Sequence, residues 1–574
     1  AIDLGVSMGH RGYNLYLMGS AGLGKHAFIE RVLNERRRES PAPDDWCYVA
    51  DFRDPQRPCA LRLPPGRGRH LRTDMRQLVE DLLSAVPAAF QRESYTHRAE
   101  AIHKEFKERE EEAAGHIGKK AKDQGIALIH TPNGYTLAPV REGHILGPDD
   151  FNALPEEEKQ KIGDVIDELR EDLQKTLSQV PLWQKEMRGR FKELNRQTME
   201  QTVNSLIRDL ENNYADLPGV QDYLAAAHTD LIEHGELFHQ EDGQEGKTPG
   251  PDDPEFTRYR VNLLVDNAEL DGAPVVYEDN PGYLNLVGRI EHIARMGTLS
   301  TDFTLIKAGA LHRANGGFLV LDALRLLTNP FAWDGLKRVL RGGEVRIESI
   351  ERVLSLAGTI SLEPEPIPVE IKVVLVGERA LYHLLRAYDP DFAQLFKVPA
   401  DFAEDMPRTA ETDALFARLV ATLQQQERLL PLTRDAVQLV IEQAARRAGD
   451  GERLSMHVGG LLDLLRETDH GARRARAETA ERSQVQRAVD ARRKRLDQMR
   501  ERIHEEILRG TLFIDTSGIQ LGQINGLSVI DMGDHAFGMP TRISATARIG
   551  NGEVLDIQRE VEQGGPIHTK GVLI

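Results

Sequence analysis

The sequence predicts an α/β fold: a parallel-sheet core, interrupted by a long helical insertion, then a helical lid and a β-rich end. Three observations predict it. Apolar runs at 13–18, 318–321 and 371–376 are continuous rather than alternating, as in strands buried on both faces, and helical patterns separate them. A glycine-rich loop follows the first run directly and leads into a helical stretch, the layout of a phosphate-binding loop. Between the strands predicted at 45–52 and 259–266 the chain is mostly helical and highly charged, so a helical arm interrupts one α/β domain.

The loop is Gly19-Ser20-Ala21-Gly22-Leu23-Gly24-Lys25-His26. It fits GxxxxGK, in which glycines let backbone N–H groups curl around phosphates. The helix N-terminus adds its positive end, and the lysine reaches the β/γ oxygens. A nucleotide is the expected ligand. The Ser or Thr that should hold Mg²⁺ is here His26, which counts against hydrolysis though not against binding.

Composition narrows the field. With 574 residues and a net charge of −18, the chain holds several domains and lacks the basic footprint of a nucleic-acid or membrane-surface binder. Its two cysteines, Cys47 and Cys59, make neither a disulfide framework nor a zinc cluster, and read as free thiols of a reducing compartment. No apolar run approaches the roughly 20 residues of a membrane helix. A cytoplasmic location is expected, with neither membrane nor nucleic acid as partner.

In chain order, residues 1–66 form the first part of the core. They hold the glycine loop and an aromatic, β-branched strand at 45–52, and Pro64-Pro65-Gly66 closes them. Residues 67–254 form the coiled-coil-like arm. Near 126–146 it carries a β-hairpin, with Asn133-Gly134 expected at the turn. Beyond Pro155, residues Ile162, Val165, Ile166, Leu169, Leu173 and Leu177 form one apolar stripe at helical spacing, and Phe191, Leu194, Met199, Val203, Leu206 and Leu210 continue the signal. A Gly/Pro-rich link at 240–254 ends the arm.

Residues 255–405 return to the α/β pattern, with strands at 259–266, 318–322 and 369–377. The middle one, Phe318-Leu319-Val320-Leu321-Asp322, ends in the carboxylate that a phosphate-binding loop needs on a neighbouring strand to hold Mg²⁺. Ala323 follows it. Residues 406–509 read as a helical lid, with a packed helix at 456–466 and an elongated connecting helix at 475–509. Residues 510–574 turn to strands at 512–514, 523–530, 542–549 and 571–574.

At this point a resemblance becomes specific. The stretch from Ile306 through Gly309-Ala310-Leu311-His312-Arg313-Ala314-Asn315-Gly316-Gly317 to Asp322 is similar to the run that leads into the Walker B strand of Lon-type ATP-dependent proteases. The likeness is strongest to the archaeal membrane-anchored branch and the soluble bacterial Lon-like proteins. Asn280-Pro281, Asn285-Leu286-Val287-Gly288-Arg289-Ile290-Glu291 and Val373-Val374-Leu375-Val376-Gly377-Glu378 match as well. Gly522 to Ile530 and Gly564-Gly565-Pro566-Ile567-His568-Thr569-Lys570-Gly571 resemble the opening strands of the Lon protease domain.

The resemblance implies an AAA+ core whose Gly19, Ser20, Ala21, Gly22, Leu23, Gly24, Lys25 and His26 bind nucleotide, with Asp322 as metal ligand and Glu378 at or beside the polar sensor position. It implies ATP/ADP and Mg²⁺ as cofactors, a hexameric homo-oligomeric ring, and unfolded or damaged polypeptides as substrates. A glutamate usually follows the Walker B aspartate, so Ala323 implies slow turnover or none. An arginine finger is expected near Asp391 to Lys397, where Lys397 is the cation present. His457 stands about where a sensor arginine is expected, and Arg466 reads as a structural helix residue. Tyr283-Leu284, or residues 296–303, are the candidates for a pore loop that grips polypeptide. The family's Ser–Lys dyad lies beyond the Lys570 strand in a Gly-Asp-Ser-Ala context absent here, so the chain is expected to carry only the start of a protease domain, without catalytic residues for proteolysis. An SMC-like ATPase with a coiled coil between its nucleotide motifs is the alternative, but Ala308 to Gly317 is not its LSGGQ-type signature. A third reading is a non-catalytic scaffold acting through the arm.

Overall fold

Five short apolar segments build one parallel sheet because helices cover both of its faces. The computed structural model describes residues 1–131, 134–141, 144–146, 155–238, 250–295, 298–348, 362–532, 536–547 and 549–550. The chain divides into two compact units: residues 1–20 with 25–402, and residues 21–24 with 403–574.

In the first unit, β1 (Leu15–Met18), β2 (Val275–Glu278), β3 (Phe318–Asp322), β4 (Lys372–Gly377) and β5 (Val398–Asp401) lie in the order β5-β1-β4-β3-β2, all parallel. Side chains alternate between two cores. Leu15, Leu17, Val320, Val374 and Val376 pack with Ile29 and Leu33 on one face. Tyr16, Leu319, Leu321, Val373 and Leu375 pack with Leu336, Phe392 and Phe396 on the other. Two strands of this sheet, β2 and β5, have no counterpart in the sequence reading. Each is four residues long, and Pro399 or Glu278 breaks its apolar run.

The strand expected at 45–52 spans Asp45–Val49, and it is not part of the parallel sheet. It is the middle of a separate antiparallel sheet, between Cys59–Leu63 and Asn262–Val265. Its run is continuously apolar because both faces are covered. Cys47 and Val49 join the core of the arm, while Trp46 and Tyr48 pack with Phe303, Ile306 and Ile347. The strand expected at 259–266 shortens to Asn262–Val265, and Pro254–Tyr259 before it is a 3₁₀ turn.

The arm contains helices Arg67–Phe90, Glu93–Asp123, Glu156–Leu177, Val180–Asn213 and Pro218–Glu233. Its inner part shares one core with the small sheet, through Leu71, Leu78, Leu82, Val203, Ile207, Leu224 and Tyr259. Farther out a second, smaller core joins Ala121, Ile126 and Leu169 to Ile162, Val165 and Ile166, as the stripe predicts. There Ile126–Thr131 pairs antiparallel with Gly134–Arg141. Thr131 sits opposite Gly134, so Gly134 is a strand residue rather than a turn residue; Asn133 lies outside the described residues. Among the described residues no helix is long and apolar enough to cross a membrane.

Asp45 closes the base of the arm. Fully buried, it accepts from Gly68 N–H at 3.0 Å and from Asn267 N–H at 2.8 Å. Asn267 in turn donates to the Pro43 and Asp44 carbonyls at 3.2 and 2.9 Å. One carboxylate thus ties together the chain going out and the chain coming back.

In the second unit, helices Ala410–Gln426, Arg434–Ala448, Val458–Arg474 and Arg482–Leu496 surround a core of Phe416, Val440, Leu454, Leu465 and Val485. The packed helix expected at 456–466 runs on to Arg474. The single connecting helix expected at 475–509 is two, Arg482–Leu496 and Gln498–Leu508, parted at Asp497. That residue is a weak helix former, and its carboxylate pairs with Arg500. Gln523–Asp531 pairs with Ala536–Ser544 in a long hairpin. The strand expected at 542–549 therefore starts earlier and ends at Ser544, and 512–514 is not a strand. Residues 551–574, including Lys570 and the strand expected at 571–574, lie outside the described residues.

Candidate nucleotide site

Parallel strands present their carboxyl ends together, and here those ends carry the predicted site. Met18 lies beside Gly377, and Asp322 beside Val376. The residues following β1, β3 and β4 therefore share one edge of the sheet.

β1 leads into the glycine loop, which turns at Gly22 (φ +83°) and Gly24 (φ +72°) before helix Lys25–Arg36. A side chain strains such a backbone, so glycine is required at both. Lys25 is buried at 8 % exposure, and its ammonium folds back into the loop. It donates to the Gly19 carbonyl, to Ser20 O at 3.1 Å, and to Gly377 O at the end of β4 at 3.2 Å. Burial lowers the Lys25 pKa and Arg379 adds to this, while Glu378 and Asp322 act in the opposite direction. Among the described residues no amide of residues 21–24 donates to a backbone carbonyl. A lysine wrapped by loop carbonyls and a run of unpaired amides together fit a phosphate group.

The acidic partners stand differently. Asp322 ends β3 and caps the next helix, Ala323–Thr328, accepting from Arg325 N–H at 2.8 Å. Glu378 directly follows β4 and precedes helix Arg379–Tyr388, and its side chain makes no capping bond. Its carbonyl accepts from the Tyr16 hydroxyl at 3.2 Å. Burial, with Asp322 and Glu378 nearby, raises the Tyr16 pKa above the usual phenol range. Tyr16 and the Gly377 carbonyl were not legible as site groups, since a buried strand tyrosine and a backbone oxygen leave no motif.

Position 323 differs from a simple missing glutamate. Ala323 is 1 % exposed and packs among Tyr16, Leu319 and Leu326, with its Cβ 3.0 Å from where a Cβ on Gly377 would sit. A glutamate has no room there without opening the core. His26 is exposed and offers no hydroxyl for a metal. No cluster of three or more His, Cys, Asp or Glu side chains suited to a metal occurs among the described residues.

Other candidates separate. Tyr283 is buried against the Gly335 backbone, so packing accounts for it. In the strands Ile293–Arg295 and Thr298–Ser300, Ile293 and Leu299 are exposed. Lys397 lies 5.0 Å over the Tyr13 ring. In the second unit Arg466 pairs with Glu427 at 2.8 Å, a structural bond as expected. His457 caps helix Val458–Arg474, its Nδ1 accepting from Gly460 N–H at 2.9 Å, and its ring occupies the space a Gly22 side chain would need.

Sequence comparison agrees with this arrangement. Residues 271–403 match the "LonB-like, AAA domain" family, 431–495 the "Archaeal LonB, AAA+ ATPase LID domain", and 45–78 the "Lon-like LonC helical domain". A putative Lon protease homolog of Escherichia coli (strain K12) is 32% identical over 276 residues, 48% of this chain and 46% of that protein. Its counterpart in Haemophilus influenzae is 28% identical, over 49% of this chain and 45% of that protein. An archaeal Lon protease of Archaeoglobus fulgidus is 26% identical, over 48% and 44%. The chain thus spans about half the length of the curated relatives it matches. A solved structure of NtrX from Brucella abortus aligns over 37% of this chain and 43% of that one at 16% identity, with a TM-score of 0.25, too low to bear on the architecture. Core domain, lid and arm base thus each match a family model of Lon-like proteins.

Proposed function

We propose that this chain is the nucleotide-binding module of a Lon-like serine protease, one that holds ATP or ADP and hydrolyses it slowly or not at all. The observation that carries the reading is the Lys25 cradle: a buried ammonium ringed by Gly19, Ser20 and Gly377 carbonyls, next to amides without backbone partners. Lys25 and the amides of residues 19–26 bind the phosphates, and Asp322 and Glu378 line the sheet edge beside them. Bound Mg²⁺ would neutralise phosphate charge, with Asp322 as its ligand. Asp322 already caps a helix, His26 replaces the hydroxyl ligand, and Ala323 leaves no base to activate water. Loss of a general base alone typically costs 10²–10⁴-fold in rate.

The module assembles as a hexameric ring in the cytoplasm and passes unfolded or damaged polypeptide to a Ser–Lys proteolytic chamber. The matches to Lon-like family models support this, and Ile293 and Leu299, exposed on paired strands, are apolar groups suited to grip a chain.

Equilibrium titration with ATP and ADP, alongside steady-state ATP hydrolysis with Mg²⁺, tests the reading. The parent is expected to bind both nucleotides and to turn over more slowly than about 0.1 s⁻¹, the low end of enzyme rates reduced by a missing base. Lys25→Ala is expected to lose about 10–100-fold in affinity, the worth of one charged hydrogen-bonding group. Turnover of several per second in the parent, abolished in Lys25→Ala, would establish a working motor instead. Absence of binding in the parent would leave the module an architectural one.

A further inference from the structure

The apex of the glycine loop, residues 21–24, belongs to the same compact unit as the lid. The first turn of a helix has N–H groups without intrahelical partners. In helix Val458–Arg474 those groups are taken in an unusual way. Gly460 N–H goes to the His457 imidazole. Gly459 N–H donates at 2.9 Å to the carbonyl of Gly22 in the glycine loop. The His457 ring lies directly on Gly22, where any side chain would collide with it. Gly459 approaches so closely that its own Cβ would stand 3.4 Å from the Gly22 Cα.

The direction of that bond matters. In a planar trans peptide the C=O and the following N–H point opposite ways. A Gly22 carbonyl turned onto Gly459 therefore turns the Leu23 N–H away from the lid helix. Glycine at 22 would otherwise let this peptide rotate freely, and the flipped form would present a carbonyl oxygen, which repels a phosphate, in place of an N–H that binds one. The positive end of the lid helix further favours the carbonyl where it is.

We propose that the first turn of the lid helix fixes the Gly22–Leu23 peptide in its anion-accepting orientation, with His457 as a positioning residue that holds Gly22 against the Gly459 amide. The proposal rests on the nucleotide reading above and assigns His457 a task a sensor arginine does not perform: it acts on the loop and not on the ligand.

His457→Asn separates this task from helix capping. Asparagine is a strong N-cap and keeps an acceptor for Gly460 N–H, but removes the ring from Gly22. Gly459→Pro removes the donor itself at a first-turn position where the helix needs no N–H. The probes are ADP and inorganic pyrophosphate, titrated into the full chain, with hydrogen exchange followed at the Gly459 amide, which the bond to Gly22 protects in the parent. Both variants are expected to bind the two probes about 3–30-fold more weakly, the worth of one oriented hydrogen bond to an ion, and the Gly459 amide is expected to exchange faster in His457→Asn. The His457→Asn lid should melt as the parent does. Parent-like affinity in both variants, with Lys25→Ala still losing it, overturns the positioning role and leaves the nucleotide reading intact. If the parent binds neither probe, the nucleotide reading fails, and exchange decides alone: faster Gly459 exchange in His457→Asn supports the latch, and unchanged exchange overturns it.

Discussion

Asp45→Ala is expected to destabilise the first unit by about 2–5 kcal/mol, read as a lower urea midpoint with the same slope. The carboxylate is fully buried and serves two buried backbone donors, Gly68 and Asn267, at 3.0 and 2.8 Å. Alanine leaves both without an acceptor, and each orphaned donor costs about 1–3 kcal/mol because nothing replaces the water it gave up on folding. Asp45→Asn should fall between: its oxygen still serves one donor, while its amide group opposes the other. The closeness of Gly68 to the Asp45 side chain leaves little space for a rescuing water. A loss below about 1 kcal/mol for the alanine variant would mean that solvent reaches these amides after all.

Acid should weaken the protein through His312. This residue is completely buried, and burial pushes its pKa down from 6.5 to about 3. Its Nδ1 accepts from Gly309 N–H at 3.3 Å, which leaves the ring proton on Nε2, an atom with no hydrogen-bond partner among the described residues. Between pH 6.5 and about 3 the unfolded chain takes up a proton that the native ring refuses. The unfolded state then binds more protons, so stability falls as pH falls, by up to about 1.4 kcal/mol per pH unit, and is fully present only above pH 6.5. Asn at 312 keeps an acceptor for Gly309 and titrates nothing. Urea unfolding of parent and His312→Asn across this range should show the two curves converging as pH drops, whatever the variant costs at neutrality. Parallel curves would show that His312 is protonated in the native state.

Much of the core was readable because its chemistry is local. The glycine loop, the apolar run of β3 ending at Asp322, and the stripe from Ile162 to Leu169 each follow from spacing over a dozen residues or fewer, and each stands where expected. What was not legible depends on covering. Asp45–Val49 looks like a strand of the parallel sheet because it is buried on both faces, yet an arm covers one face and a separate cluster the other. β2 and β5 are too short to carry a period. At the site, the bonds that give Lys25, Gly22 and Asp322 their settings run to Gly377, Gly459 and Arg325, all through backbone atoms. Backbone partners have no residue signature, so sequence identifies the side chain and leaves its partner blank. Ala323 is the sharpest case: the residue type suggested an absent base, whereas its burial shows a position with no space for one.

The base of the arm has a consequence for how such a chain changes over time. A Cβ placed on Gly66, where the chain departs, would stand 3.6 Å from Ala268, where it has returned. Closing a longer excursion between two fixed points costs only about 0.6 kcal/mol for each doubling of its length. The outer helices, with their own small core around Leu169, can thus be lengthened, trimmed or exchanged at little cost to the sheet that carries Lys25. The inner helices cannot, because Leu71, Leu78 and Val203 cover Cys47 and Val49. The chain thus has a grafting point partway along the arm: inherited architecture on one side, room for new attachments on the other.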